Sequence, residues 1–433
     1  MSGGGALPAM TARPAGRRWF DVYLALFFCL FVTHLDVYLG EHGRLGVNTI
    51  IVLLLMVGLF AAGVLVGGRG ARFLDTFVDN VLASALPLGW FVLWMAGHVF
   101  LLGSARISHA DIDYLALFPI YQLGVVLFGV ALGSLPGSAS ALSAAGHAAI
   151  VVLGASVLTD ALAPGTFSAL ANRGAGFAQN ANIAAFILAS LTAVSLDYRH
   201  YRRRDTLILA IAFVAVFFTF SRAGLAQFLL VAATYAFCML SGDNRSAQRS
   251  MAPVRLVGLA ATLAVLGLIA LSLPQLVDST AIRDVRGVGE RLDQLLFREG
   301  ASIVVDPYRR PLIRHYFGLV TERPFLGHGT GFALGEAMPA APFQMGPHTM
   351  YLRVWVDHGL WGLLTYCGLL ASFLALMLRS GWIGGILLAV LLLIGSGFSH
   401  TLIDNKSTLV LIGLALGVTA GGRPGRHGAR GRR

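Results

Sequence analysis

The chain has 433 residues, is 56% hydrophobic and only 12% charged, and carries a formal charge of +11. Soluble domains are about a quarter charged, so the composition excludes a soluble globular protein and marks a membrane one. Much of the excess charge sits in short arginine clusters beside apolar runs (Arg13/Arg17/Arg18, Arg199/Arg202/Arg203/Arg204, and the tail from Arg423 to Arg433), a pattern of span flanks that implies no nucleic-acid partner.

In chain order, a Gly/Ala/Arg-rich cytoplasmic segment, 1–18, precedes nine apolar spans within 19–273. They lie near 19–40, 46–66, 81–103, 114–134, 145–163, 179–197, 205–220, 222–241 and 254–273. A large polar insert, 274–349, follows, with helical apolar spacing at Arg291 to Phe297 and Leu312 to Val320. Three further spans near 350–378, 382–398 and 407–420 fill 350–420, and a basic tail covers 421–433. Most of these runs are long enough for a hydrocarbon core of ~30 Å, and backbone groups in lipid require helix. The expected fold is therefore all-α: a polytopic membrane protein with about 12 transmembrane helices and one large loop containing short helices.

Loop charge sets the orientation. With the N-terminus inside, the cytoplasmic loops hold Arg69/Arg72, Arg199 to Arg204, Arg245/Arg249 and Arg379, while the opposite short loops hold Glu41, Asp111/Asp113 and Asp404 alongside Arg44, Arg106 and Lys406, so the bias in basic residues favours this orientation. Both termini are then cytoplasmic and the insert lies outside, which in a bacterial inner membrane is the periplasm. Cys29, Cys238 and Cys367 are scattered through apolar runs, with neither a disulfide framework nor zinc spacing.

The polar investment is one-sided. His34, Asp36, His98 and Asp160 all fall near the outer ends of their spans, where a transporter more often places such groups at the midplane. Ser221-Arg222 sits between two nearly continuous apolar spans, and an arginine so placed is costly unless paired or hydrated. The bland reading is a snorkelling turn charge. Arg173, expected as a further phosphate contact, opens Arg-Gly-Ala-Gly-Phe-Ala-Gln-Asn-Ala-Asn before the sixth span, where Asn180 or Asn182 suits a helix cap; Ser221 and Asn180 are counted with it among the substrate-binding residues. Arg309, Arg310 and Arg314 cluster in the insert. Outside, they are not topology signals, and guanidinium forks suit phosphate oxygens. His348 precedes the tenth span in a His-x3-Leu-x6-Gly-x2-Gly pattern with Leu352, Gly359 and Gly362. Alone it reads as a surface histidine; at a membrane boundary it also suits a general base. There is no HExxH, DxD, Walker loop or nucleotide fingerprint, so neither a metal site nor a cofactor is expected.

The array of TFSRAG (219–224), RGAGFAQNAN (173–182), an arginine fifteen residues before PFLGHGTG (324–331), and His348 with Gly359 and Gly362 resembles the O-antigen ligase and polymerase superfamily. The resemblance covers Arg173 to Gly362. It implies that Arg222 is the family's Ser-Arg arginine, that Arg309 or its neighbour Arg310 is the loop arginine, and that His348 is the family histidine. Thr349 stands where that pattern has Asn. The implied reaction is metal-independent, inverting glycosyl transfer from an undecaprenyl pyrophosphate-linked glycan among inner-membrane lipids. Arginines hold the pyrophosphate and His348 deprotonates the acceptor. A lipid A–core acceptor makes an O-antigen ligase; the alternatives are an O-antigen polymerase, a protein O-oligosaccharyltransferase or a lipid/polysaccharide transporter.

Overall fold

The computed structural model describes residues 15–41, 49–68, 70–100, 109–169, 173–241 and 309–421. Among these residues there is no strand. The helices are α1 (Ala15–Phe27), which runs into a π-helical turn (Phe28–Val32), α2 (Leu35–Glu41), α3 (Thr49–Val66), α4 (Gly70–Ala83), α5 (Ala85–Phe100), α6 (His109–Gly133), α7 (Ser138–Leu162), α8 (Ala181–Ser195), α9 (Arg203–Phe218) and α10 (Arg222–Ser241). After the undescribed stretch come α11 (Arg309–Glu322), α12 (Met350–Ser380), α13 (Ile383–Ser396) and α14 (Lys406–Gly421), with short turns between α11 and α12. The expected ninth span, 254–273, and the insert helix near Arg291 lie outside the described residues.

Four helices, α3, α7, α10 and α12, are long and apolar enough to cross a membrane, and six spans result if two bent pairs each count as one. Several other expected spans coincide with shorter apolar helices: part of α6, α8, α13 and α14. A helix of 14–16 residues, such as α13, α8 or α14, covers only ~21–24 Å, less than the hydrocarbon core.

Two expected single spans are broken. The first bends by 53° after the π-helical turn, where His34 adopts a left-handed φ of 67°. A π turn carries one extra residue, which shifts the hydrogen-bond ladder and favours a break. The expected 81–103 span is instead the end of α4 and all of α5, bent by 72° at Ser84. Pro87 explains this: it has no N–H for the Ala83 carbonyl, and its ring crowds that carbonyl.

The main core buries Leu24, Phe27, Phe28 and Phe31 against Leu132, Leu142, Ile150 and Leu153. α6 and α14 meet through matched Gly-x3-Gly pairs, Gly129/Gly133 and Gly413/Gly417. A Cβ at Gly129 would lie 2.7 Å from the Val410 carbonyl, and one at Gly133 2.7 Å from that of Leu414. Without side chains in the seam the two backbones touch, the packing that small residues permit in membranes.

Several helix ends gather at one end of the bundle. Gln227 Nε2 donates to the Leu391 carbonyl at 3.3 Å. Gln227 is five residues into α10 and Leu391 five residues before the end of α13, about 7–8 Å along each axis. Arg222 and Ser396 therefore lie at the same level. Thr349 Oγ1 donates to the Ser396 carbonyl at 3.1 Å, which brings the start of α12 there too.

Candidate active site

A buried carboxylate organises the first part of the site. Asp160, near the end of α7, is 1% exposed and accepts from the N–H groups of Phe167, Ser168, Ala175 and Gly176 at 3.1–3.2 Å, and from the Ser168 hydroxyl. This clamps both limbs of the irregular segment between α7 and α8. Tyr38 of α2 packs on Phe167 and Phe177 of the same segment, with ring centroids 5.2 and 5.4 Å away. Gln179 bonds Glu41.

The two motifs predicted from sequence meet here. Arg173 Nε donates to the Thr219 carbonyl at 2.9 Å, and its Nη2 to Asn182 Oδ1 at 2.7 Å. Ser221 Oγ donates to the same Asn182 oxygen at 2.9 Å. Asn180 caps α8, its Oδ1 accepting from the N–H groups of Asn182 and Ile183 at 2.9 and 3.3 Å. Ser221 caps α10 through the Gly224 N–H at 3.1 Å. Arg173 thus braces the turn that presents Arg222. Arg222 itself, the first residue of α10, is exposed and makes no hydrogen bond or ion pair among the described residues.

Arg309 is the first residue of α11. Arg310 and Arg314 are exposed on its first two turns, also without partners among the described residues. Neither α10 nor α11 carries an acidic residue in its first turn. A cation there opposes the helix dipole at a cost of about 0.3–1 kcal/mol, whereas an anion would be held by both. The opposite face of α11 forms a small second core: Leu312, Tyr316 and Val320 pack with Ala333, Ala337, Leu352 and Val356. Tyr316 is fully buried, and its hydroxyl lies 3.1 Å from the Ala333 carbonyl and 3.0 Å from that of Met345. Burial first, then the nearby Asp357 charge, push this phenol up to about 12, so it stays a donor.

The PFLGHGTG segment docks into a break in α12. Gly359 has φ 65° and ψ −158°, which interrupts the helix ladder. The freed groups pair with the loop: His328 N–H to the Val356 carbonyl at 2.9 Å, Gly329 N–H to that of Asp357 at 2.9 Å, and Leu360 N–H to that of Pro324 at 2.8 Å. A Cβ at Gly359 would overlap the Phe325 carbonyl. Farther along, Thr330 Oγ1 donates to the His98 carbonyl of α5 at 2.6 Å.

His348 stands just before α12 with a left-handed φ of 54°, rare for a residue with a Cβ. Its ring centroid is 5.8 Å from that of His400, edge to face. Arg353, one turn into α12, is a hub. It donates to the His400 carbonyl at 2.6 Å, pairs with Asp404, and lies 3.7 Å from Asp357. Asp357 in turn accepts from the Ala333 N–H at 2.7 Å. Burial, then Arg353, then His348 push the His400 imidazole down to about 4, so it is neutral at neutral pH. Beyond this hub, the buried Lys406–Asp36 pair and the His34–Asn405 bond at 3.2 Å tie α14 to the first broken helix.

The structure therefore joins Arg173, Ser221 and Asn182 in one cluster, with Asn180 capping beside it. It joins His348, Arg353 and His400 in a second at the same end of the bundle. Arg310 and Arg314 stand on a helix packed beside that second cluster. The Arg353–Asp357–Asp404–His400 hub was not among the predicted residues. Its signal was an Arg and an Asp spaced i, i+4 at the head of an apolar helix, a costly pair unless both have partners. Among the described residues no three His, Cys, Asp or Glu side chains converge as metal ligands.

Residues 207–367 match the family model described as O-antigen ligase. The match covers less than half of the chain and supports a place in the O-antigen ligase superfamily. Members are glycosyltransferase-like enzymes, ligases and polymerases, that in general use lipid-linked glycans and lipid acceptors. The matched segment holds the Ser221–Arg222 turn, α11, the docked loop and His348, while the Arg173 brace and His400 lie outside it. No curated protein matches the chain at a significant level. The family match and the apolar helices together mark a membrane protein.

Proposed function

We propose that this protein is an O-antigen ligase of a bacterial inner membrane, working at the periplasmic face. It would transfer a glycan from undecaprenyl pyrophosphate to a hydroxyl of lipid A–core. The observation that carries the reading is Arg222: an exposed guanidinium without a partner among the described residues, at a helix N-terminus where only an anion is favourable. Arg310 at the start of α11 repeats the arrangement from the insert side, with Arg309 preceding it in the chain.

In this mechanism the acceptor hydroxyl oxygen attacks the anomeric carbon. The bond from that carbon to the pyrophosphate oxygen breaks with its electron pair, and configuration inverts. Arg222 and Arg309/Arg310 stabilise the negative charge gathering on the leaving pyrophosphate. His348 takes the hydroxyl proton. Its left-handed backbone is the kind of strain that clusters at functional sites. Arg173, Ser221 and Asn180 would hold the turn bearing Arg222, and Arg314 would extend the basic surface of α11.

The test is transfer in detergent by the purified full-length protein, with lipid-linked glycan as donor. His348→Ala should lose transfer while still binding donor. Arg222→Lys keeps the charge but not the fork, and should impair transfer. Wild-type turnover by the His348 variant, at normal protein levels, ends the general-base assignment. Acceptor choice decides between enzymes: product on lipid A–core supports the ligase, whereas product on a second lipid-linked repeat or on a protein makes the chain a polymerase or an oligosaccharyltransferase.

A further inference from the structure

The face of α11 turned away from its small core is both apolar and basic. Arg310, Ile313, Arg314 and Phe317 fall within an arc of about 100° on a helical projection. All four are exposed, Ile313 by 48% and Phe317 by 49%. The loop after α11 continues the surface with Phe325 and Leu326, 69% and 67% exposed. These are large apolar side chains left bare on a segment whose other face is fully packed.

The level of this surface relative to the bilayer follows from α12. Residues 360–380 run without interruption beyond the Gly359 break, about 31 Å of helix, which matches a hydrocarbon core of ~30 Å. Trp361, Leu364 and Leu378 are exposed along it, and Arg379 lies in its last turn, as a lipid-facing span ending at the far interface requires. Gly359 then marks the near interface. Phe325 sits against Gly359, and the Pro324 carbonyl accepts from Leu360 N–H and from Trp355 Nε1. Phe317 meets Trp355, edge to face at 6.1 Å, about one turn above.

The geometry points to a membrane-surface anchor. Phe325 and Leu326 enter the leaflet beside Trp361, Phe317 and Ile313 lie at headgroup depth, and Arg314 engages the phosphates of bulk anionic phospholipid. The occupant is bilayer lipid because the apolar tip is level with the start of a span and the charges within the arc of Arg310, Ile313, Arg314 and Phe317 are positive, Glu322 lying outside it. The α11 segment is then held against the leaflet from which a lipid-linked donor would come. This inference rests on the α12 span and not on the proposed reaction, so either can fail alone.

The test uses the full chain with its three cysteines replaced by serine, in nanodiscs of phosphatidylcholine with or without phosphatidylglycerol, and with neither donor nor acceptor. An environment-sensitive dye is attached at Phe325→Cys or Phe317→Cys, both at exposed positions. Quenching by lipids spin-labelled near the headgroup, with protection from aqueous iodide, is the expected result at both sites. In phosphatidylglycerol nanodiscs, Arg314→Gln should lower the ratio of lipid-shielded to water-exposed Phe317→Cys label by about fivefold. Full iodide access without lipid quenching, in protein that still elutes as a single folded species, would overturn the anchor. Lipid quenching that ignores both phosphatidylglycerol and Arg314 would overturn its electrostatic part.

Discussion

Replacing Gly359 by alanine should undock the PFLGHGTG loop. The native φ/ψ of 65°, −158° is open almost solely to glycine, so a Cβ there costs about 1–3 kcal/mol in backbone strain. The same Cβ would overlap the Phe325 carbonyl and approach Leu326 N to 2.5 Å. Relief requires the loop to leave, which forfeits the three backbone bonds of His328, Gly329 and Leu360, each worth about 0.5–1.5 kcal/mol. The sum is about 3–7 kcal/mol, a large part of the usual stability of a folded protein. The assay is hydrogen exchange in detergent on peptides covering 324–331 and 356–362, with the thermal midpoint read in parallel. Gly318→Ala is the control: it lies within α11, a Cβ there meets nothing within 4 Å, and the change should be neutral or slightly stabilising. Unchanged exchange in both peptides of the Gly359→Ala protein would refute the docking argument, whatever happens to activity.

Two further outcomes follow from the site's support. Tyr316→Phe removes the one hydroxyl proton shared between the Ala333 and Met345 carbonyls and should destabilise the insert by about 1–2 kcal/mol, read as faster proteolysis between 331 and 346. His400 is pushed down to about 4, against about 6.5 when unfolded, so the unfolded chain takes up the proton first as pH falls. Its contribution is complete above pH ~6.5 and is lost towards pH ~4; the full shift is worth about 3 kcal/mol, reduced to about 1–2 kcal/mol for this partly exposed ring. The thermal midpoint should therefore drop between those pH values, and His400→Asn should flatten the drop. An equally steep drop in the variant would assign it to another group.

Among the described residues the apolar runs read from the sequence fall on helices, two of them broken, because a run of apolar residues is a local property that survives into the fold. The bends were less legible. Pro87 gave a visible signal, but the Gly359 break did not, since Val354, Val356 and Leu360 keep an apolar pattern through it. Arg173 and Ser221 could be singled out separately as polar residues beside spans. Asn182 belongs to the Arg173 motif and reads as a helix cap, but its role as the shared partner of Arg173 and Ser221 depends on how α8 and α10 cross. The Arg353 hub was hidden for the same reason, because Asp404 and His400 lie about fifty residues downstream and reach it only through the return of α13.

The clamp made by Asp160 has a consequence for variation. Four of its five bonds are to main-chain N–H groups, which every residue but proline supplies. The exposed residues Ala163, Pro164, Thr166 and Ala169 can thus vary without touching the clamp, whereas the carboxylate cannot be exchanged without releasing both limbs together, and a Cβ at Gly174 or Gly176 would meet Val157 or Ser156. A single fixed residue would let one scaffold present differently furnished rims to glycans of different composition.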